Sequence, residues 1–152
     1  MFKKYLFLNL SVLVLFIADR IAKFLFVRFP AEKFGGDFIS GLIDFQLAKN
    51  PGIAFGLLLN QNFLRFFIIS IIFILVWLLL KAYQQKKPAE IFGLTLIITG
   101  AISNLIDRWY YGFVVDYINV PVFTVFNLAD VMITFGVLIL AVGILKKEKA
   151  SR

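Results

Sequence analysis

The sequence predicts an all-α membrane protein, a four-transmembrane-helix bundle that carries a small extracytoplasmic β-sheet. Hydrophobic residues make up 61% of the 152 residues and charged residues only 16%, whereas soluble domains are about 45 to 50% apolar. The apolar residues are collected in four long runs. Because about 20 helical residues cross a hydrocarbon core of ~30 Å, each run can form a membrane span. We therefore expect residues 1–152 to form a single integral membrane domain.

The first apolar run covers residues 5–27 and follows two lysines. A cleaved signal peptide also starts in this way, but this run is longer than a signal core and leads into Asp19, Arg20 and Lys23 rather than small residues. We therefore expect it to remain as a membrane span. The other three spans are predicted over residues 63–80, 90–108 and 126–145.

Basic residues indicate which side of the membrane each end of a span faces. They form three clusters beside the apolar runs: Lys3 and Lys4; Lys81, Lys86 and Lys87; and Lys146, Lys147, Lys149 and Arg152. Because positively charged loops stay in the cytoplasm, we expect both termini and residues 81–90 inside. The loops 28–62 and 109–125 are then outside. The net charge of +7 therefore reflects topology, and we expect a monomer among membrane lipids with no nucleic-acid partner.

Two segments of the outer loops show the period of a half-buried strand. Residues 43–48 (IDFQLA) set Ile43, Phe45 and Leu47 on one face against Asp44, Gln46 and Ala48 on the other. A similar period of two is read over residues 114–120 (VVDYINV), with Val114, Asp116, Ile118 and Val120 on one face. We expect both segments to join a small sheet that rests on the helices.

Glycines recur on the last two predicted spans at intervals that place them on one helix face. Gly93 and Gly100 are seven residues apart, as are Gly136 and Gly143. Small residues let helix backbones approach closely in a membrane, so we expect these glycines to mediate helix packing and to have no chemical role.

Polar and charged side chains are concentrated in residues 100–130, within an otherwise apolar chain. Such groups are expensive in lipid, about 2.5 to 3.5 kcal/mol each at the bilayer centre, so they are functional candidates. Counting 1.5 Å per residue from the lysine clusters places Asp19 about 22 Å and Asp130 about 24 Å along their helices, with Asn104 at a similar level. The sequence therefore predicts one polar cluster just below the extracytoplasmic face.

Several members of this cluster also have a purely structural interpretation. Asp19 and Lys23 are four residues apart and share a helix face, and holding the bundle together is the preferred role for this pair and for Asp107. Arg108 shares a face with Asn104, but its side chain could instead snorkel to the membrane interface.

The absence of Cys and His limits the chemistry that the cluster can perform. It excludes Ser–His and Cys–His nucleophile systems and the usual zinc ligands, so we expect no metal and no cofactor, although carboxylates alone can bind hard cations. Two neighbouring carboxyls can share one proton and hydrolyse a peptide bond, one acting as base and the other as acid. Asp116 and Asp130 are the pair that the predicted hairpin brings together.

Three alternatives to this aspartyl mechanism are less consistent with the sequence. A Ser103–Lys23 dyad is disfavoured because Asp19 favours the charged ammonium of Lys23, which cannot act as a base. Ser103 also lies about 100° around the helix from the face of Asn104 and Arg108. A transporter or channel also places charged residues on inward faces, but the sequence shows no repeated halves or paired broken helices of the transporter kind. A structural membrane chaperone would need no pair of carboxyls.

Five motifs occur in order along this chain. They are residues 19–23 (DRIAK), 50–56 (NPGIAFG), 100–108 (GAISNLIDR), 114–118 (VVDYI) and 126–130 (FNLAD). Together they closely resemble the lipoprotein signal peptidase family, also called signal peptidase II, over nearly the whole chain. Ser103 departs from the family pattern, which usually has a second glycine there, so the local packing beside Asn104 is open.

The resemblance implies an aspartyl endopeptidase of the bacterial cytoplasmic (inner) membrane. It would remove signal peptides from lipid-modified prolipoproteins, cutting just before a diacylglyceryl-modified cysteine, with its active site on the extracytoplasmic side. Asp116 and Asp130 match the catalytic aspartates of the family. The positions that would bind substrate or support the site are Asn50, Gly52, Asn104, Arg108, Asn127, Asp19, Lys23 and Asp107.

Overall fold

The computed structural model describes residues 2–29, 37–39, 43–52, 60–121 and 124–150. The chain is mostly helical. Its helices are α1 (Phe2–Arg28), α2 (Gln61–Gln84), α3 (Pro88–Tyr110) and α4 (Leu128–Ala150). Its strands are β1 (Asp37–Ile39), β2 (Ile43–Asn50), β3 (Val114–Val120) and β4 (Thr124–Phe126).

Three helices in the described part of the chain are long and apolar enough to cross a membrane. They are α2, α3 and residues Leu128–Lys146 of α4, with mean hydropathies of 2.8, 1.7 and 2.5. The fourth predicted span began too early, because Phe126 is the last residue of β4 and α4 begins at Leu128. Helix α1 covers the first predicted span but is not one of these three, so the four-span arrangement stays a prediction.

Helix α3 lies at the centre of the helical layer and packs against α1, α2 and α4. Half of the residues in the most apolar stretch of α3 are buried, against 6% in the corresponding stretch of α2. The polar residues of α3 are therefore enclosed by other elements, whereas most of α2 faces outward.

Close contact between α3 and α4 depends on three of the four glycines. A Cβ atom added to Gly136 would lie 2.6 Å from the backbone oxygen of Gly93, and one added to Gly100 would lie 2.6 Å from the backbone oxygen of Ala129. Real Cβ contacts are not this short, so the two backbones could not approach this closely if these glycines carried side chains. The prediction was wrong for Gly143, since an added Cβ would meet no described atom within 4 Å.

The strands form one antiparallel sheet in the order β1-β2-β3-β4. Strands β2 and β3 confirm the two segments predicted from alternation, and they pair with Asn50 opposite Val114 and Ala48 opposite Asp116. The three-residue strands β1 and β4 were not predicted.

Strand β3 is buried on both faces over residues 114–117, which corrects the expectation of a half-buried strand. Its odd-numbered residues face the helices, where the ring of Tyr117 stacks on Phe26 of α1 at 5.1 Å and the Val115 amide donates to Asp107 of α3. Val114 and Asp116, on the other face of the strand, line a cavity. Asp116 is therefore on the cavity side of the strand.

Candidate active site

Asp116 lies in the buried half of β3, and its side chain is held by two amides. Asn127 donates its side-chain N–H to Asp116 Oδ1 at 2.6 Å, and Asn50 donates to Oδ2 at 3.1 Å. Because Asn50 is diagonal to Asp116 across the β2–β3 ladder, the sheet register itself places the Asn50 amide on the same face.

Asp130 lies in the first turn of α4, where the sequence predicted it. Its backbone N–H donates to Asn127 Oδ1 at 2.9 Å, and the Asn127 backbone N–H donates back to Asp130 Oδ2 at 3.2 Å. This reciprocal arrangement is a capping box, and it fixes both side chains at the start of the helix. Asn127 thus contacts both aspartates.

Asn104 holds the second oxygen of Asp130, and its orientation is set by a buried lysine. Lys23 donates to Asn104 Oδ1 at 2.8 Å, and Asn104 Nδ2 donates to Asp130 Oδ1 at 2.8 Å. An ammonium group has only donors, so it must face the oxygen of the amide and leave the NH₂ group for the aspartate. The orientation of Asn104 therefore presents a donor to Asp130.

A buried ion cluster lies behind these amides. Lys23 Nζ lies 3.0 Å from Asp19 Oδ2 and 2.8 Å from Asp107 Oδ2, and all three side chains are fully buried. With Asn104, these partners supply one acceptor for each N–H of the ammonium. Arg20 bonds the other oxygen of Asp107, so the cluster ties α1 firmly to α3.

Ser103 belongs to this ion cluster. Its hydroxyl donates to Asp19 Oδ2 and accepts from Arg20. Among the described residues no hydrogen bond joins Ser103 to Lys23, and Ser103 does not line the cavity. Both side chains instead bond Asp19 Oδ2, so this geometry does not favour the Ser–Lys alternative.

Arg108 does not snorkel to the interface, which decides against that alternative. Its side chain is 7% exposed, donates to the Gly52 carbonyl at 2.9 Å and makes a long hydrogen bond to the Asn104 carbonyl at 3.4 Å. It is turned inward because the carbonyl of Gly52 lies beside the outer end of α3.

A cavity of about 550 Å³ opens in front of the two aspartates. Six predicted site residues line it: Asn50, Gly52, Asn104, Arg108, Asp116 and Asp130. The other four, Asn127, Asp19, Lys23 and Asp107, are buried behind this lining. The remaining walls are mostly apolar and come from β3, β4 and α4: Val114, Thr124, Val125, Phe126, Val131, Thr134 and Phe135.

Comparison with known proteins shows the family of this chain. The sequence pattern of the family described as Signal peptidase (SPase) II matches residues 11–146. The chain belongs to the signal peptidase II family. This is a family of membrane proteases that process lipoproteins, so a bacterial membrane location follows.

Curated relatives of this signal peptidase II chain match over almost their whole length. The lipoprotein signal peptidase of Caldicellulosiruptor bescii is 38% identical, with 87% of this chain and 86% of the relative covered. That of Streptococcus pneumoniae is 33% identical over 96% of this chain and 97% of the relative. A solved structure of a bacterial membrane enzyme at 2.3 Å resolution matches with a TM-score of 0.81, 27% identity and coverage of 94% and 90%.

The electrostatic environment of this signal peptidase II site favours a proton on Asp116. Burial raises the pKa of Asp116 to about 6, and the negative charge of Asp130 raises it further, while hydrogen bonds from Asn50 and Asn127 oppose the shift. The carboxyl group therefore retains a proton to a much higher pH than an exposed aspartic acid does.

Two residues of this region, Tyr117 and Arg20, were not among the predicted site residues. Tyr117 follows Asp116 directly and donates its hydroxyl to Asp19 at 3.1 Å. Burial and the charge of Asp19 raise the pKa of the Tyr117 phenol, so it remains a donor. The alternation of β3 could have indicated that residue 117 faces the helices, but the sequence does not show which helical residue it meets.

Proposed function

We propose that this chain is an aspartyl endopeptidase that cleaves the signal peptide of lipid-modified prolipoproteins just before the lipidated cysteine. The observation that carries the proposal is that Asp116 and Asp130 line one cavity while a single buried residue, Asn127, hydrogen-bonds both. Carboxyls on two different elements are thereby held for joint action on one substrate bond.

The proposed reaction needs one protonated and one ionised aspartate. Both aspartates accept two N–H donors, but Asp130 lies at the start of a helix, where negative charge is favoured, so we assign it as the base. It takes a proton from water as the water oxygen attacks the scissile carbonyl carbon. Asp116 donates its proton to the carbonyl oxygen, which gives a neutral tetrahedral diol.

Collapse of the diol returns both protons. Asp130 passes its proton to the leaving amine as the carbon–nitrogen bond breaks, and Asp116 recovers a proton from a hydroxyl of the diol. The products are a carboxylic acid and an amine, and the pair is restored. The two aspartates and one water molecule supply every proton that the reaction needs.

The polar wall of the cavity is suited to hold the peptide backbone. Arg108 is buried, lines the cavity and, within the described chain, has no hydrogen-bond partner for its Nε–H. A buried donor without a partner is costly, so a substrate carbonyl that accepts from it would gain affinity. We assign Arg108, Asn50 and Gly52 to substrate binding on this basis.

The apolar wall is suited to a lipid-modified substrate. Thr134 and Phe135 follow Asp130 by about one helical turn and are exposed on α4, so the cavity reaches the side of the helix that would face lipid. Acyl chains could stay in hydrocarbon there while the scissile bond meets the aspartates. In this proposal all four helices span the membrane, both termini are cytoplasmic and the site faces the extracytoplasmic side.

Cleavage of a matched pair of precursors tests the proposed substrate. One precursor carries the diacylglyceryl group on its cysteine and the other is unmodified. We expect only the first to be cleaved, with mass spectrometry showing the modified cysteine as the new N-terminus. Equal cleavage of both precursors, or a product that begins at another residue, would refute the proposed specificity.

A further inference from the structure

The first turn of α4 is anchored by three different parts of the chain. The first N–H groups of a helix have no partner within it. Here the Leu128 N–H donates to the Tyr117 hydroxyl at 3.2 Å, the Ala129 N–H donates to Asp19 Oδ1 at 3.2 Å, and the Asp130 N–H donates to Asn127. Strand β3 and helix α1 thus hold the helix end that carries Asp130.

The Tyr117 side chain takes part in two of these connections: it bonds Leu128 directly, and it bonds Asp19, which in turn holds Ala129. It is 4% exposed, its ring stacks on Phe26 at 5.1 Å, and its hydroxyl donates to Asp19 while it accepts from Leu128. Tyr117 does not line the cavity, since it lies on the opposite face of β3 from Asp116. Any effect of its hydroxyl on turnover must therefore pass through the elements that it joins.

We propose that the Tyr117 hydroxyl is a positioning group that sets the distance between Asp116 and Asp130. This inference rests on the proposed aspartyl function. Asp116 and Tyr117 are consecutive in one strand, and Leu128 comes two residues before Asp130 in one helix. The contact between the hydroxyl and the Leu128 N–H therefore holds the strand carrying one carboxyl against the helix carrying the other, together with the bonds that Asn127 makes to β3.

The consequence of losing this contact should appear in turnover rather than in binding. Reacting groups must be held to within about 0.5 Å of productive geometry, and displacement by 1 Å can cost about a hundredfold in rate. The residues proposed to bind substrate, Arg108, Asn50 and Gly52, do not contact the Tyr117 hydroxyl. Asn50 lies in β2, which pairs with β3, and Gly52 donates its N–H to Asn50, so both would move together with Asp116. A small shift of β3 relative to α4 would therefore change the distance between the two carboxyls more than it changes the binding wall around Asp116.

The test compares two variants that each lose one phenol hydroxyl. Tyr117→Phe keeps the ring on Phe26, and we expect kcat for a lipidated precursor to fall about tenfold with KM changed less than twofold. Tyr83→Phe is the matched control, because the Tyr83 hydroxyl bonds Asn9 far from the cavity. Its kcat should stay within twofold of the parent enzyme, and thermal unfolding measured for both variants shows the stability lost.

A second variant removes the same contact from the other side. Leu128→Pro deletes the N–H that donates to Tyr117 and also shortens the half-buried Leu128 side chain, and proline is well tolerated at the first position of a helix. We expect it to reproduce the fall in kcat, which keeps the test decisive if Tyr117→Phe does not fold.

Unchanged kcat in either folded variant, or a rise in KM alone, would overturn the positioning role. Asp116→Asn in the same assay separates this failure from failure of the proposed function. If Asp116→Asn is inactive while Tyr117→Phe is fully active, only the positioning role is wrong. If Asp116→Asn is fully active, the aspartyl mechanism itself is wrong.

Discussion

The carboxyl group of Asp116 is 2% exposed and close enough to Asp130 to be affected by its charge. Its pKa is raised from 3.8 in the unfolded chain to about 6 in the folded one. The folded state therefore binds a proton more tightly than the unfolded state. The resulting stabilisation is complete below pH 3.8 and is lost as pH rises through about 6, so the ionised carboxyl lowers stability at neutral pH by at most about 3 kcal/mol.

Replacing this carboxyl with a neutral amide should change the pH dependence of stability. We expect the unfolding temperature of Asp116→Asn in detergent to rise relative to the parent between pH 4 and pH 7.5, because the parent loses proton-linked stability over that interval and the variant does not. An NH₂ group that faces the Asn50 or Asn127 donor lowers the stability of the variant by the same amount at both pH values, so it does not change this relative rise. A difference in unfolding temperature that is the same at both pH values would contradict the assignment.

Individual residues also differ in how well their place in the site could be predicted from the sequence. Asp116, Asp130 and Asn127 could be proposed because carboxyls and amides are rare and costly in so apolar a chain. For Arg108 the sequence left two positions open, the site and the membrane interface, since the choice depends on the carbonyl of Gly52, which a different loop supplies. The contact between Tyr117 and Asp19 likewise joins residues 98 positions apart, and spacing within one helix does not reveal it.

At the scale of elements, the α3–α4 contact positions Asn104 against Asp130. We expect Gly136→Ala to lower stability by about 1 to 3 kcal/mol, since its Cβ would lie 2.6 Å from both the Gly93 oxygen and a side-chain carbon of Ile97. Gly143→Ala is the matched control. It meets no described atom within 4 Å and should be neutral or stabilising by up to about 1 kcal/mol.

Thermal unfolding of the two alanine variants, measured in the same detergent, checks this prediction. Equal losses would mean that α3 and α4 do not meet at Gly136, and the packing described for these helices would be wrong.

Elements were predictable where a periodic pattern was long enough to be recognised. The alternation over residues 43–48 and 114–120 led to β2 and β3, whereas three-residue strands are too short to show a period. The predicted fourth span included Phe126 because the apolar run continues through β4. The capping box of Asn127 and Asp130 is the local feature that marks the true start of α4, and burial of β3 on both faces depends on contacts with distant helices.

At the scale of the whole molecule, the basic clusters predict that both termini and the connection between α2 and α3 are cytoplasmic. The chain has no cysteine, so single-cysteine variants can report topology directly. A membrane-impermeant thiol reagent added to intact cells should label Tyr110→Cys, at the 82% exposed end of α3, and leave Gln85→Cys unlabelled. Labelling at position 85 without labelling at position 110 would invert the proposed orientation.

The paired-aspartate mechanism is tested most directly by the turnover of a lipidated precursor with three single variants. Asp116→Asn and Asp130→Asn each remove one proton-transfer function, so each should lower kcat by about a hundredfold or more. Ser103→Ala removes a buried hydroxyl from the ion cluster and should stay within about threefold of the parent, with a stability loss of about 1 kcal/mol. Loss of turnover in folded Ser103→Ala, with either aspartate variant near full activity, would contradict the account.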